Sequence, residues 1–208
     1  GYSEPWPHYL PGTSYAFATD VKAPDHDRDK ATTLLDEAGL TPDANGVRLR
    51  LTGYYMETFD GHKGISAVIA KNLADVGIEC DFQPLGSDEW LEKIGKEKAF
   101  DLTITGGNML PDPDITSGRY QTGGPRNANG LSNPAADEAY RAARAAEDRQ
   151  ERIGHYRRLQ EAFRDDVSWV PLFWYCNYAY RSTKFFGWSD QLDFRIPWWH
   201  WGRLRPVD

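Results

Sequence analysis

The sequence predicts an α/β fold with a parallel sheet, because strand-like and helix-like patterns alternate along its first half. Apolar and polar residues alternate in three short stretches, at residues 47–51, 78–82 and 100–105. This is the period of a strand with one buried face. Between these stretches apolar residues recur every three or four positions, as on a helix with one buried face. The resulting β-α-β-α-β order across residues 47–106 favours parallel strands joined by right-handed crossovers.

The stretch ahead of this core is predicted to be an extended segment followed by one helix. Residues 1–26 are rich in proline and aromatic residues and show no clear periodicity, which favours an extended, packed segment. Asp25 or Asp27 can cap the start of the helix, and Gly39 stands where a left-handed residue would end it. The apolar face of this helix consists of Ala31, Leu34, Leu35 and Ala38.

Two helices are predicted between the strands. One runs from about residue 61 to 76 and is ended by Gly77. The other begins at Ser87, whose side chain would cap it, and carries acidic residues in its first turn, where the helix dipole favours them. The expected buried residues are Ile65, Val68, Ile69, Leu73 and Val76 on the first helix, and Trp90, Leu91 and Ile94 on the second.

The second half of the chain is predicted to contain a long loop, two helices, a buried strand and an aromatic tail. Residues 114–130 are rich in glycine and asparagine and indicate a long surface loop. Asn133 and Pro134 suit the first positions of a helix, and Asp148 can cap the next one. Residues 170–175 indicate a buried strand, and the chain ends in an aromatic tail that contains three tryptophans around His200. The inward face of the last helix is expected to carry Ile153, Tyr156, Leu159, Gln160 and Phe163, with a solvated charged face opposite.

A ligand site is expected where the predicted strands end. In open parallel sheets, ligands bind beyond the carboxyl ends of the strands. The loops at those ends are residues 53–60, 85–87 and 106–112, and their polar and aromatic content suits a wet, selective site. The candidate ligand-binding residues are Tyr54, Tyr55, Gly106, Gly107, Asn108, Met109 and Asp112.

The composition excludes several classes of protein. The net charge of −7 argues against nucleic-acid binding, and no apolar run is long enough to span a bilayer. The two cysteines, Cys80 and Cys176, form no metal-binding pair; a single disulfide and two free thiols both fit, and free thiols are favoured. The start of the chain resembles the middle of a longer protein, and no signal peptide is visible.

Catalytic signatures are absent, so we expect no enzyme, no cofactor and no metal. There is no nucleophile elbow, phosphate-binding glycine loop or histidine pair at metal-ligand spacing. The Asp112–Asp114 stretch fails as a calcium loop, because Ser117 and Gly123 stand where glycine and glutamate are required. Two alternatives stay open: a glycoside or peptide hydrolase that uses Asp112, Asp114 or Glu57, and a protein-interaction module that uses the tryptophan-rich tail.

Several stretches resemble one known family. They are DHDRDKATTLLDEAGL, GVRLRLT, NLADVGIECDFQPL, EWLEKI, FDLTITGG with DPD after it, and NPAADEAYRAARAAEDRQERIGHYRRLQEAFRDDVSWVPLF. In order and spacing they resemble the C-terminal lobe of the family 5 extracellular solute-binding proteins, the dipeptide-, oligopeptide- and nickel-binding components of ABC importers. The resemblance covers residues 1–173, and its motifs are specific as a set.

The resemblance implies a periplasmic-binding-protein-like lobe with a C-terminal return segment. Residues 1–168 would form part of the ligand-binding lobe, and residues 169–208 a return strand and aromatic tail that joins a first lobe. It also implies a monomer that captures a small solute by closure of two lobes, without chemistry. The implied location is the periplasm or another extracytoplasmic space, with membrane association only through the importer permease.

The resemblance also bears on the ligand. In peptide-binding relatives, an aspartate four residues before the proline of the Asp-Pro turn pairs with the ammonium group of the peptide. The matching residue here is Met109, which offers no charge partner to a buried ammonium group. This departure argues against a standard peptide. Sugars, opine-like conjugates and metal chelates also occur as ligands in the family and suit the tyrosines and tryptophans.

Overall fold

The computed structural model describes residues 3–59, 61–106, 111–167, 169–175, 182–186 and 205–206. Its helices are α1 (Arg28–Glu37), α2 (His62–Ala74), α3 (Ser87–Trp90), α4 (Ser117–Tyr120), α5 (Pro134–Ala145) and α6 (Arg149–Asp166), with a π-helix at Leu91–Glu97 and a 3₁₀ helix at Pro113–Thr116. Its strands are β1 (Ser3–Pro5), β2 (Leu49–Met56), β3 (Ile78–Leu85), β4 (Leu102–Ile104), β5 (Phe173–Tyr175), β6 (Phe185–Phe186) and β7 (Arg205–Pro206).

The central sheet contains three parallel strands in the order β3-β2-β4. In the register of the sheet, Tyr54 pairs with Gln83 on one side and with Thr103 on the other. The first strand in sequence is therefore the middle strand of the sheet. The predicted α/β class and the predicted parallel β-α-β-α-β core are confirmed.

The middle strand is longer than predicted. We expected a loop from residue 53, but β2 continues through Met56. Hydrogen bonding to neighbours on both sides keeps this backbone extended, and a strand enclosed in this way need not alternate apolar and polar residues. Gly53 is required at this point, because a Cβ atom there would lie 2.4 Å from the ring of Phe82.

Most predicted helix ends are confirmed. The side chain of Asp27 accepts a hydrogen bond at the start of α1, and Asn133 and Asp148 do the same for α5 and α6. Gly39 has a left-handed φ of 76° just beyond α1. The prediction for Ser87 was wrong: Ser87 is the first residue of α3, and Gly86 takes the cap position without a side-chain hydrogen bond.

Three of the predicted apolar faces need correction. Leu34 of α1 is 54% exposed, and this helix has no buried residue. Val68 is 60% exposed, whereas His62 and Ser66 are the buried residues of α2. Leu91 is 57% exposed, because the helix widens into a π-helix after Trp90 and its side chains no longer follow the 3.6-residue period. A periodicity argument that assumes a regular α-helix cannot locate such a change of pitch.

The larger core lies between α5, α6 and the extended N-terminal segment. Tyr140 and Tyr156 are fully buried within it, and the segment between Tyr9 and Ala23 packs against them. Gln160, also fully buried, donates to the backbone oxygen of Ala16 at 3.0 Å and accepts from the amide of Ala18 at 3.3 Å. The segment is therefore packed and non-helical, as predicted, but it runs through successive turns rather than one extended stretch. A buried amide side chain supplies hydrogen bonds that its backbone lacks.

The region after residue 113 differs from the predicted long loop. It begins with the 3₁₀ helix and α4, and Pro113 and Ser117 are buried. Arg144 of α5 holds this region, since its guanidinium donates to Asp114 at 2.7 Å and to Ser117 at 2.7 Å. The predicted loop is therefore confirmed for residues 121–130, whereas residues 113–120 are helical and are held by the polar contacts of Arg144.

The chain divides into two compact units, Pro7–Pro171, and Gly1–Trp6 together with Leu172–Asp208. In the smaller unit, β5 pairs with β1 in an antiparallel ribbon. The predicted burial of residues 170–175 was wrong for three of them, because Val170, Leu172 and Trp174 are 53%, 43% and 37% exposed. The three tail tryptophans and Cys176 lie outside the described residues, and the predicted boundary after residue 168 stays a prediction.

We predict that replacement of Gln160 by alanine destabilises the protein by about 2–4 kcal/mol, because a backbone oxygen and an amide would be left buried without partners. Urea unfolding monitored by circular dichroism would measure the change. Gln150→Ala on the exposed face of the same helix is the matched control and should change the free energy of unfolding by less than about 0.5 kcal/mol. Equal effects of the two substitutions would contradict the assigned role of Gln160.

Candidate functional site

The carboxyl ends of β2, β3 and β4 meet at one edge of the sheet, because all three strands run in the same direction. The first two of the following loops are joined directly: the amide of Glu57 donates to the carbonyl of Leu85 at 3.1 Å. Gly86 lies beneath the Glu57 side chain, and a Cβ atom there would be 3.8 Å from its Oε1. The predicted ligand loops at residues 53–60 and 85–87 therefore form one surface.

Tyr54 and Tyr55 lie in β2 rather than in the loop after it, and they point to opposite faces of the sheet. They are 6% and 7% exposed. The hydroxyl of Tyr54 accepts a hydrogen bond from Lys93 Nζ at 3.3 Å, and the same ammonium group lies 4.8 Å above the ring. Tyr55 pairs in register with Ile104 of β4. Their assignment as ligand-binding residues stays a prediction.

The third loop has one described residue at its start and two at its end. Gly106 follows β4, whereas Gly107, Asn108 and Met109 lie outside the described residues. At the far end, the carbonyl of Pro111 accepts a hydrogen bond from Ser14 Oγ at 2.7 Å. The side chain of Asp112 caps the 3₁₀ helix through the amide of Asp114 at 3.0 Å.

Asp112 also joins a cluster of charged and phenolic side chains that the sequence did not indicate. A guanidinium nitrogen of Arg152 lies 3.6 Å from its carboxylate and donates to the hydroxyl of Tyr156 at 3.3 Å. Burial raises the pKa of Tyr156 to about 12, although the Arg152 charge opposes this shift. Tyr15 shares the cluster, and burial together with the Asp112 charge raises the pKa of its phenol. These contacts fix the end of the third loop to α6.

The remaining arginines of α6 confirm the predicted solvated face. Arg157 pairs with Glu161 at 3.1 Å and also binds Asp20, and hydrogen bonding from Arg157 lowers the pKa of the Asp20 carboxyl to about 2. Arg164 pairs with its neighbour Asp165. These groups are exposed, so their contribution to stability is small.

The hydrolase alternative finds no support in the described residues that it would use. Asp112 and Asp114 are each paired with an arginine of a supporting helix, Arg152 and Arg144 respectively. Both also take part in starting the 3₁₀ helix. Both aspartates therefore have structural roles, as ion-pair partners and at the start of the 3₁₀ helix.

His62 is a second feature that sequence reasoning missed. It is 1% exposed at the start of α2, and its ring stacks on Phe59 with 5.1 Å between centroids. Its Nδ1 has no hydrogen-bond partner among the described residues. Burial lowers the pKa of the imidazole, while a hydrogen bond to the backbone of Met56 partly opposes that shift. The sequence did contain one signal for this residue. His62 directly follows Gly61 and is the first residue of α2, the helix that begins at the ligand edge of the sheet.

The described residues contain neither a metal-binding cluster nor a membrane-spanning helix. No group of three histidine, cysteine, aspartate or glutamate side chains is arranged to hold a metal ion. None of the described helices combines the length and apolar content that a membrane span requires. Cys80 is a free, partly buried thiol, and burial raises its pKa.

Comparison with known families identifies the class of protein. The family described as bacterial extracellular solute-binding proteins, family 5 Middle, matches residues 1–129. This chain belongs to that family, as the resemblance indicated. The "Di/tripeptide-binding protein 2" of Pseudomonas aeruginosa (strain UCBPP-PA14) is 30% identical over 158 residues, which cover 71% of this chain and 28% of that relative. The chain thus spans little more than a quarter of the length of this curated relative.

Solved structures agree with the periplasmic-binding-protein-like fold. A putative peptide-binding protein AppA from Clostridium difficile superposes with a TM-score of 0.81 at 21% identity, covering 99% of this chain and 42% of that one. DppA from Helicobacter pylori, solved in complex with the peptide STSA, gives a TM-score of 0.74 at 18% identity, with coverage of 100% and 40%. At these identities the likeness establishes the fold alone.

We predict that His62 makes stability depend on pH below neutrality. Because burial lowers its folded pKa below the ordinary value of 6.5, the unfolded chain binds the proton first as pH falls. The stability that the neutral imidazole contributes is therefore present above pH 6.5 and lost as pH falls toward the lower folded pKa. Urea unfolding between pH 7.5 and pH 5 would measure this slope.

The informative comparison is between two histidine variants. His62→Gln should reduce the loss of stability on acidification, whereas His26→Gln removes an exposed histidine and should retain the wild-type slope. If the His62→Gln variant keeps the full slope, the assignment to His62 is wrong.

Proposed function

We propose that this chain is part of the substrate-binding protein of a bacterial ABC importer and captures a small polar solute without transforming it. The observation that carries the proposal is the meeting of three parallel strand ends, with the Glu57–Leu85 backbone bond, in a chain of the family 5 solute-binding proteins. Capture in such proteins requires closure of two lobes about a hinge. The full-length protein is proposed to act in the periplasm or another extracytoplasmic space, as a monomer that delivers its ligand to the importer permease.

The ligand class is proposed from two opposing observations. The relatives named above are peptide-binding by name or by the bound peptide, which favours a short peptide. Met109 stands where the resemblance places the aspartate that pairs with the ammonium of a peptide, which favours an opine-like conjugate, a sugar or a metal chelate. The aromatic and polar residues near the strand ends suit either class.

We predict that the full-length protein binds one of these classes with saturable one-to-one stoichiometry and releases it unchanged. Isothermal titration calorimetry against alanyl-alanine, a tetrapeptide, an opine, a disaccharide and a nickel–histidine chelate would measure binding, and mass spectrometry of the recovered compound would detect turnover. Failure to bind any of the five compounds, together with conversion of one of them, would exclude the proposal.

The isolated 208-residue chain provides a second comparison. It should bind the same compound at least about tenfold more weakly than the full-length protein, because a ligand enclosed by two lobes takes contacts from both. Binding of equal strength by the isolated chain would show that capture does not depend on a partner lobe.

A further inference from the structure

We propose that Lys93, Tyr54, Thr103 and Trp90 form a subsite for a carboxylate group of the bound ligand. This inference rests on the proposed solute-binding function and adds to it the chemistry of one part of the ligand. It comes from the residues packed around Tyr54, on the face of the sheet that α3 and the π-helix cover.

Tyr54 brings the other three side chains together. Lys93 Nζ donates to its hydroxyl at 3.3 Å. Thr103 is its register partner in β4, and paired residues of parallel strands project from the same face of a sheet. Trp90 packs against the cluster that Tyr54 forms with Leu85 and Ile94. Because Tyr54 lies two residues before the end of β2, the cluster lies close to the edge where ligands are expected.

The cluster has an excess of hydrogen-bond donors. A lysine ammonium group and an indole N–H can only donate, and the two hydroxyl groups can donate as well. Trp90 Nε1 and Thr103 Oγ1 are buried and have no hydrogen-bond partner among the described residues. A buried polar atom without a partner is costly, so each of these two atoms indicates a need for a hydrogen-bond acceptor.

The charge of Lys93 indicates what kind of acceptor this is. Lys96 of the same π-helix pairs with Glu92 at 2.6 Å. The partner found for Lys93 within the described part of the chain is the Tyr54 hydroxyl, and no carboxylate there lies within ion-pair distance. A cation in a cluster that also carries unpaired donors complements an anion, and the two oxygens of a carboxylate can accept about four hydrogen bonds.

Access and chemistry agree with this assignment. Lys93, Trp90 and Thr103 are only partly buried, so the cluster is not sealed inside the core. The aromatic faces of Tyr54 and Trp90 would exclude water from one side of the carboxylate, which strengthens a charge-assisted hydrogen bond.

The first test compares an acid with its neutral amide in the full-length protein. Calorimetric titrations with alanyl-alanine and with alanyl-alanine amide use two compounds that differ only at the carboxylate. Lys93→Met should weaken binding of the acid by about tenfold or more and leave binding of the amide unchanged, since hydrogen bonds to charged groups are stronger than those between neutral groups. Lys96→Met is the matched control and should change neither affinity.

The second test requires no knowledge of the natural ligand. Thermal unfolding of the full-length protein is measured in sodium acetate and in sodium chloride at equal ionic strength. Acetate should raise the melting temperature of the wild type but not that of Lys93→Met. In chloride, Lys93→Met should be at least as stable as the wild type, because it lacks a partly buried cation without a carboxylate partner. If this variant fails to fold, Thr103→Val removes one hydroxyl at nearly constant volume and should also reduce the acetate effect.

The outcomes separate this inference from the proposed function. Binding by the wild type with equal losses for acid and amide in Lys93→Met would overturn the subsite and leave the function standing. Absence of any acetate effect on the melting temperature would overturn the subsite. Stabilisation by phosphate but not by acetate would overturn the carboxylate assignment. If the wild type binds none of the solutes tested and converts one of them, the proposed function fails, while the acetate comparison still decides the subsite.

Discussion

Backbone pairing of β2 with a parallel strand on each side is the constraint on which the rest of the central sheet depends. Parallel pairing brings three strand ends to one edge, and the loops that follow can then meet. Side chains alternate along a strand, so a shift of one residue would exchange the two faces. Gly53 pairs with Phe82 and Tyr54 pairs with Gln83, so the register places the Phe82 ring and the Tyr54 side chain on opposite faces of the sheet. The helices on either face follow from that choice.

Residues 47–106 show which parts of the fold the sequence predicts well. Strong periodicity and short connections leave few arrangements, so the parallel order was predictable. Outside this stretch, the caps at Asp27, Asn133 and Asp148 were predictable too. These are local signals, each decided by a few neighbouring residues. The family could be predicted too, because several weak motifs occur in the right order. Agreement between local and global signals is what is expected of a sequence that specifies one fold.

The failures share a physical cause, because each depends on contacts between distant residues. The loop expected at residues 53–56 is a strand because β3 and β4 bond to it from both sides. The widening after Trp90 shifts Leu91 to solvent. The Arg152–Asp112 pair joins residues forty positions apart, and sequence periodicity on α6 placed Arg152 only on a charged face. The position of a site residue therefore depended on partners that local patterns do not identify.

The hydrogen bond from Glu57 to Leu85 has a consequence for the evolution of specificity. It uses backbone atoms alone, so side chains on both segments are free to diverge while the two main chains remain tied together. An insertion in either segment would displace the other as well. Natural variants that bind a new solute should therefore change the segments after β2 and β3 together. A single segment transplanted from a relative should keep the backbone geometry that it had in that relative.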